Sequence, residues 1–405
     1  MSGAHVIHSA RLVDGGTVVE DGWVRFQGER IVARGTGRTW VAEAGGLRAT
    51  DAAGDWLAPG FVDIHVHELS TTDAAGAWLT PGFVDIHVHG GGGAAFDDGA
   101  EAIARGLALH RRHGTTRSVI SLVTAPIASL AQRLREVAAL AAADSRILGS
   151  HLEGPYLDAG HKGAHDPALL RLPTAADVDL LVEAAGGTLR QVTLAPELPG
   201  GMDAVRALSA AGVAVAVGHT AADYDQALAA FDAGASILTH AFNAMPGLHH
   251  RAPGPVAAAA RTQGVTLEIV NDGVHVHPEI VRIAFASAPG RVALITDAMA
   301  AAGSADGDYR LGGLDVEVRE GVARLAAGGS IAGSTLTPDD ALRRAVLEVG
   351  IPVAEAVRAV TSTPAAAVGR GGDLGRLLPG YAADAVLLDA DFAVRQVWSA
   401  GAPVL

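Results

Sequence analysis

Eight short apolar runs recur along residues 83–297, and most of them end in a histidine, a glutamate or an aspartate. An alanine-rich segment with helical character follows each run, as in AEAIARGLALHRRHG after the first. The runs are FVDIHVH (83–89), TRSVISLV (116–123), ILGSHLE (147–153), QVTLAPE (191–197), VAVAVGH (213–219), ILTH (237–240), TLEIVND (266–272) and RVALITD (291–297). Strands that alternate with helices in this way predict an α/β fold with a parallel (β/α)8 barrel, which we assign to residues 81–364.

Both ends of the chain follow a different pattern. Residues 4–50 alternate apolar and polar positions between glycine-rich breaks, and residues 380–398 do the same. Such alternation is typical of short antiparallel strands. We therefore expect residues 1–80 and 365–405 to meet in one small β-sandwich domain beside the barrel.

The polar residues at the ends of the runs predict a metal site. In a (β/α)8 barrel the carboxyl ends of all strands meet at one face, where active sites lie. His87 and His89 alternate along a strand and so point to the same side, and Glu153, His219 and His240 end other runs. Nitrogen and carboxylate ligands suit Zn²⁺ and also Fe²⁺, Mn²⁺ or Co²⁺, and the ligand set does not choose among these; we take zinc as the first candidate. The alternative is that each polar residue only begins a solvated loop.

Asp297 ends an almost wholly apolar run, VALITD, and is the candidate for proton transfer. A catalytic metal keeps one position open for water, and a nearby carboxylate then serves as general base. The alternative interpretation is that Asp297 caps the turn that follows it.

A near-exact repeat complicates the choice of metal ligands. Residues 51–67 and 73–89 differ at two of seventeen positions, Asp55 against Ala77 and Ala58 against Thr80, so His65 and His67 duplicate the His-x-His pair. Only the second copy continues directly into glycines, GGGG at 90–93, which allow close backbone approach. We therefore assign His87 and His89 to the site and treat residues 51–72 as an inserted segment.

Composition limits the partners and the compartment. The net charge of −14 argues against nucleic acid and anionic membranes as partners. The chain has no cysteine, so thiolate ligands and disulfides are excluded. The start, MSGAHVIHSARLVDG, lacks an apolar signal-peptide core, and no run reaches the length of a membrane helix. We expect a cytoplasmic protein that acts on a small molecule.

Several motifs in the barrel region resemble the N-acetylglucosamine-6-phosphate deacetylases of the amidohydrolase superfamily. The most specific are HLEGPY (151–156) and THAFNAMPGLHHR (239–251), and GHT (218–220), NDGVHVHPE (271–279), LITDAM (294–299) and IAGSTLT (331–337) follow in matching order. The tail PGYAADAVLLD is similar to the closing strand of the superfamily's β domain. The resemblance covers nearly the whole chain.

The resemblance implies residue roles. Glu153, His219 and His240 match the principal metal ligands, and Asp297 matches the general base. The His87–His89 pair matches the motif that holds a second ion in some members, so one or two ions per subunit are expected. Substrate contacts are implied for His165, Asn243, the backbone of Ala244, Arg251 and His275. Family members are usually homodimers, in which Arg251 reaches the neighbouring subunit's site.

Two other functions remain open from the sequence. The chain fits another amidohydrolase, such as a dihydroorotase-like or acyl-amino-acid hydrolase. It also fits a catalytically silent protein that binds a sugar phosphate, although every residue that hydrolysis requires is present.

Overall fold

The structure is a computed structural model that describes residues 4–43 and 69–404. The strands are β1 (Ala4–Asp14), β2 (Thr17–Gln27), β3 (Arg30–Thr36), β4 (Leu69–Asp73), β5 (Trp78–Pro81), β6 (Phe83–Val88), β7 (Gly90–Gly91), β8 (Ala94–Ala95), β9 (Thr115–Val123), β10 (Ile147–Glu153), β11 (Leu189–Leu194), β12 (Ala214–Val217), β13 (Ala235–Leu238), β14 (Thr266–Val270), β15 (Val292–Ile295), β16 (Gly307–Leu311), β17 (Leu314–Arg319), β18 (Val322–Leu325), β19 (Ala385–Leu388), β20 (Val394–Ser399) and β21 (Ala402–Pro403). The first copy of the repeat, with His65 and His67, lies outside the described residues.

The helices are α1 (Trp40–Glu43), α2 (Ala100–Arg112), α3 (Ile127–Ala143), α4 (Ala175–Ala185), α5 (Gly201–Ala210), α6 (Tyr224–Asp232), α7 (Gly254–Arg261), α8 (Pro278–Ser287), α9 (Pro338–Leu347), α10 (Val353–Val360) and α11 (Ser362–Ala367). Those that follow barrel strands are amphipathic: α3, for example, buries Leu130, Leu134 and Val137, which share one face at helical spacing. Among the described residues, no helix is long and apolar enough to cross a membrane.

A parallel eight-stranded barrel forms the centre of the molecule. Its order is β6-β9-β10-β11-β12-β13-β14-β15, and each of the eight predicted apolar runs supplies one strand. The last and first strands are joined at their carboxyl ends, because Asp297 N donates to His87 O at 2.9 Å and His89 N donates to Ala298 O at 2.8 Å. The predicted fold class is confirmed.

A separate β-sheet domain combines both ends of the chain. Its order is β21-β20-β19-β5-β1-β2-β3, and β4 also pairs with β1. The second copy of the repeat links this domain to the barrel, because β5 pairs with β19 in the sheet and β6 pairs with β9 in the barrel. The exact domain boundaries, 80/81 and 364/365, stay a prediction.

A three-stranded antiparallel sheet, β16-β17-β18, is inserted between β15 and α9. Its return to the barrel is anchored beside the last barrel strand, because Ser334 N donates to Asp297 O at 2.7 Å and Met299 N donates to Ser334 O at 2.9 Å. The insert therefore lies over the carboxyl-terminal mouth of the barrel.

A buried ion pair joins the barrel to the sheet domain. Arg117 on β9 donates to both carboxylate oxygens of Asp384, at 2.6 and 3.1 Å, and both residues are about 5 % exposed or less. Replacing one partner of such a pair leaves the other charge buried without compensation, which costs about 3–5 kcal/mol. We therefore expect Arg117→Met to lower the free energy of unfolding by about that amount in urea titrations.

The exposed pair Arg282–Glu279 provides a matched control, since both side chains are more than half exposed. Arg282→Met should change stability by less than about 1 kcal/mol. Equal effects of the two substitutions would show that the Arg117–Asp384 pair contributes no more than a surface contact.

Candidate active site

The carboxyl ends of four barrel strands, β6, β10, β12 and β13, bring the predicted metal ligands together. Glu153 ends β10, and one of its oxygens, Oε1, lies 3.1 Å from Nε2 of His219 and 3.1 Å from Nε2 of His240. Its other oxygen, Oε2, lies 3.2 Å from Nε2 of His89. Oε1 is also 3.4 Å from Nε2 of His87. The single carboxylate therefore faces all four predicted histidines.

Asp297 completes this cluster from the last strand. Its Oδ1 is 3.5 Å from Nε2 of His87 and 3.5 Å from Nε2 of His89. These three residues form one group able to hold a metal ion, and Glu153 with His219 and a further histidine, His165, forms a second. The proposed base thus lies on the His87–His89 side of the cluster.

Left-handed backbone places three of these side chains over the mouth of the barrel. His219, His240 and Asp297 have φ of 49°, 25° and 49°, although none of them is glycine. Such conformations cost on the order of 1–3 kcal/mol each and persist where the surrounding structure imposes them. Each residue lies two positions beyond the end of its strand, where the chain turns towards the axis of the barrel.

The donor set fits a divalent cation. Nε2 of His219 and His240 are 3.0 Å apart, and those of His87 and His89 are 3.1 Å apart. Two ring nitrogens can share only one hydrogen, so these close pairs suit lone pairs that point at a common cation. Burial raises the pKa of Glu153, but the facing imidazoles, first that of His87, hold the pKa well below its ordinary value and keep the carboxylate ionised.

His165 lies against the same carboxylate. Its Nε2 is 3.4 Å from Oε2 of Glu153, and its Nδ1 is 2.9 Å from Oγ1 of Thr124. The Thr124 hydroxyl donates to the carbonyl of Glu153, so it accepts from Nδ1 of His165. Burial lowers the pKa of His165 to about 4, and the ring is therefore neutral at pH 7. This geometry turns a lone pair towards the cluster.

A pocket of about 310 Å³ opens beside the cluster. The predicted substrate residues Asn243, Ala244 and His275 line it, together with His165. Nδ1 of His275 donates to Oδ2 of Asp272 at 2.7 Å. Burial lowers the pKa of His275, but this carboxylate outweighs burial and raises the pKa above its ordinary value. The raised pKa favours the protonated, cationic form of this imidazole, which suits an anionic group of a substrate.

Arg251 is the one predicted substrate residue that is not brought to the pocket of its own chain. Its side chain is exposed, and its backbone N donates to Nδ1 of His249 at 3.3 Å. Within residues 4–43 and 69–404 it forms no ion pair.

The pocket also contains residues that the sequence interpretation did not include. Leu311 of β16 and the segment containing Ser330, Ile331 and Gly333 close one side of it. The alternation DYRLGGLDVEVREG, with two glycines at its centre, is a hairpin pattern that indicates these strands. No local pattern shows that the insert lies over the site, because that depends on how it folds back onto the barrel.

Comparison with known proteins agrees with this geometry. The amidohydrolase family model matches residues 78–404. The N-acetylgalactosamine-6-phosphate deacetylase of Escherichia coli O157:H7 is 42 % identical over 401 residues, 98 % of each chain, and the N-acetylglucosamine-6-phosphate deacetylase of Bos taurus is 34 % identical over 417 residues, 97 % of this chain and 93 % of its own. A mutant N-acetyl-D-glucosamine-6-phosphate deacetylase from Mycobacterium smegmatis, solved in complex with N-acetyl-D-glucosamine 6-phosphate, superposes with a TM-score of 0.88 at 40 % identity and full coverage of both chains. This chain belongs to the amidohydrolase family.

Proposed function

We propose that the protein hydrolyses the N-acetyl group of N-acetylglucosamine 6-phosphate, giving glucosamine 6-phosphate and acetate. The observation that carries the proposal is the meeting, in one pocket, of Glu153, His219 and His240 with the carboxylate of Asp297 and the imidazole of His275. Glu153, His219 and His240 suit a metal ion, and the carboxylate of Asp297 suits proton transfer. The imidazole of His275 suits an anionic substituent of the substrate. The names of the relatives at 34–42 % identity support the same reaction.

A divalent ion is the expected cofactor, with zinc the first candidate and iron, manganese or cobalt the others. Glu153, His219 and His240 would hold one ion, and His87 with His89 would hold a second. Such an ion supplies Lewis-acid chemistry, since it polarises a carbonyl and makes water a nucleophile at neutral pH.

Asp297 is placed to move the proton. Its carboxylate takes a proton from the attacking water, which adds to the acetyl carbon, and then returns the proton to the amine nitrogen as the carbon–nitrogen bond breaks. Hydrogen bonds from Asp297 N to His87 O and from Ser334 N to Asp297 O hold its backbone on both sides, so the carboxylate keeps its position through both transfers.

Substrate recognition is assigned to three residues that line the pocket. We assign contacts with the phosphorylated sugar to Asn243, to the backbone of Ala244 and to His275, whose raised pKa favours an anion. His165 lies next to Glu153 and so faces the acetyl end. The protein is proposed to be a homodimer, in which exposed Arg251 of one subunit supplies a second cation to the other. We propose the cytoplasm as its location.

Acetate release tests the proposal. Purified protein is incubated with N-acetylglucosamine 6-phosphate, with and without a chelator, and acetate is measured. We expect turnover with the 6-phosphate, at least tenfold less with unphosphorylated N-acetylglucosamine, and loss of turnover with the chelator that added Zn²⁺ restores.

The galacto epimer is the matched comparison, because one relative is named for it. A higher kcat/KM for N-acetylgalactosamine 6-phosphate would contradict the gluco epimer as the preferred substrate. It would still agree with the proposed deacetylation reaction. Hydrolysis of dihydroorotate or an N-acyl amino acid, with neither sugar phosphate cleaved, would replace the proposed function. Tight binding of the sugar phosphate without acetate release would indicate a silent binding protein.

A further inference from the structure

Glu268 is a buried carboxylate that the proposed reaction does not use. It lies within β14, in the middle of an apolar strand, and its side chain is 0 % exposed. It does not line the pocket, so it does not touch a substrate there. It lies behind His87, on the side away from the cluster.

Three contacts hold this carboxylate. Its Oε2 lies 3.1 Å from Nδ1 of His87 and accepts a longer hydrogen bond, 3.4 Å, from the backbone N of His240. Its Oε1 accepts from Nε2 of Gln191 at 2.8 Å. Two of the three contacts are therefore with predicted metal ligands, His87 and His240.

The contact with His87 determines which ring nitrogen has the hydrogen. A carboxylate only accepts, so Nδ1 of His87 donates to Glu268, and in the neutral ring, the form that binds a cation, the lone pair is on Nε2. Nε2 is the atom that faces Glu153 and Asp297, at 3.4 and 3.5 Å. Carboxylates that accept from the second nitrogen of a metal-binding histidine fix its tautomer and orientation in this way.

A second buried histidine restricts the same ring. The centroid of the His151 ring is 4.6 Å from that of His87, and the two rings are at 78°. His151 is itself held by Ser121 at Nδ1 and by Thr193 at Nε2, both at 2.9 Å. The ring of His87 is therefore held by its contact with Glu268 and by packing against the fixed ring of His151.

In the part of the chain described, no lysine or arginine pairs with Glu268. The carboxylates of Asp14, Asp97 and Asp384, whose side chains are buried, each pair with an arginine, whereas the ion pair of Glu268 is with His87. Burying an ionised carboxylate is costly unless a positive charge compensates it. A divalent ion bound at Nε2 of His87 supplies that charge through the ring.

We propose that Glu268 is a positioning residue for His87, and that its charge is matched to a cation on the His87–His89 side of the cluster. The inference rests on the divalent-ion site of the proposed function. Glu268, in the interior of β14, then controls the affinity for this ion without touching the substrate.

The experiment compares Glu268→Gln and Glu268→Leu with the wild type and uses Co²⁺ as the probe. The ion held by His87 is identified as the Co²⁺ whose visible absorption is lost in His87→Ala, and its affinity is measured by chelator competition. We expect Glu268→Leu to lower the affinity for this ion by about 10–100-fold. The loss of affinity should be smaller in Glu268→Gln, because the amide keeps an acceptor for Nδ1 of His87 but removes the charge. Co²⁺ at Glu153, His219 and His240 should keep its affinity within about threefold.

Gln191→Met is the matched control, because it removes the other partner of Glu268 at an equally buried position without touching His87. It should leave the Co²⁺ spectrum and both affinities nearly unchanged. Unchanged affinity in Glu268→Leu, equal weakening of both ions, or no Co²⁺ lost in His87→Ala would each overturn the inference. Absence of acetate release by the wild type, with the Co²⁺ result as expected, would overturn only the proposed function.

Discussion

Asp297→Asn should reduce kcat/KM for acetate release by about 10²–10⁴-fold, the usual contribution of a general acid–base group. The amide cannot accept a proton from water, whereas its size and its tolerance of left-handed backbone match those of aspartate. The φ of 49° and the two backbone hydrogen bonds of Asp297 are therefore kept. The measurement is steady-state kinetics together with metal content per chain.

The metal content separates catalysis from ligation. Asp297 Oδ1 is 3.5 Å from His87 and His89, whereas Glu153 pairs with His219 and His240. We expect the ion at Glu153 to remain in the variant. Asp308→Asn, at an exposed position on β16, is the control and should leave turnover unchanged. Wild-type turnover in Asp297→Asn would remove this residue from the mechanism.

Deleting either copy of the repeat should give proteins of very different stability. Removal of residues 51–72 leaves the second copy in the chain, and removal of residues 68–89 leaves the first copy joined directly to GGGG. The two shortened chains have equal length and differ only where the copies differ, with Ala or Asp at position 77 and Thr or Ala at position 80.

Position 77 accounts for the expected difference. Ala77 is 6 % exposed and packs with Leu12, Leu79 and Trp398 in the core of the sheet domain. The aspartate of the first copy would bury a carboxyl group there, which costs on the order of 3 kcal/mol. Thr80, also buried, would lose its hydrogen bond to the carbonyl of Pro81, 3.0 Å long.

Melting temperature, urea midpoint and acetate release of both shortened chains check this prediction. Both deletions remove Leu69–Thr72 of β4, which pairs with β1, so the informative comparison is between the two shortened chains. We expect the chain without residues 68–89 to melt at a clearly lower temperature than the chain without residues 51–72. Asp55→Ala in the chain without residues 68–89 should restore most of the lost stability. Equal stability of both chains would show that either copy fits the strand position, and that the core does not discriminate between them.

The order and type of the barrel strands were predictable because each is a buried run of regular length. VALI is apolar at all four positions and TLEIV at three of five, as is typical of parallel strands that are buried on both faces. The convergence of His87, Glu153, His219 and His240 was predictable for a related reason, since strand ends in such a barrel share one face.

Other features of the site depend on contacts between distant residues. Glu268 in TLEIV is a single acid in an apolar strand, and only its 3.1 Å contact with His87 gives it a role. The insert β16–β18 is visible as a hairpin pattern, but its place over the pocket depends on the hydrogen bonds of Ser334 with Asp297 and Met299.

The sequence by itself determined the alternation of strands and helices and the polar residues that end seven of the eight apolar runs, and it favoured the His-x-His copy that continues into glycines. These are local patterns of hydrophobicity and backbone freedom. The tertiary structure alone decided the left-handed turns of His219, His240 and Asp297, the tautomer of His87 and the exposure of Arg251. Those outcomes depend on packing and hydrogen bonds between residues far apart in the chain, and these can outweigh local conformational preference by a few kcal/mol.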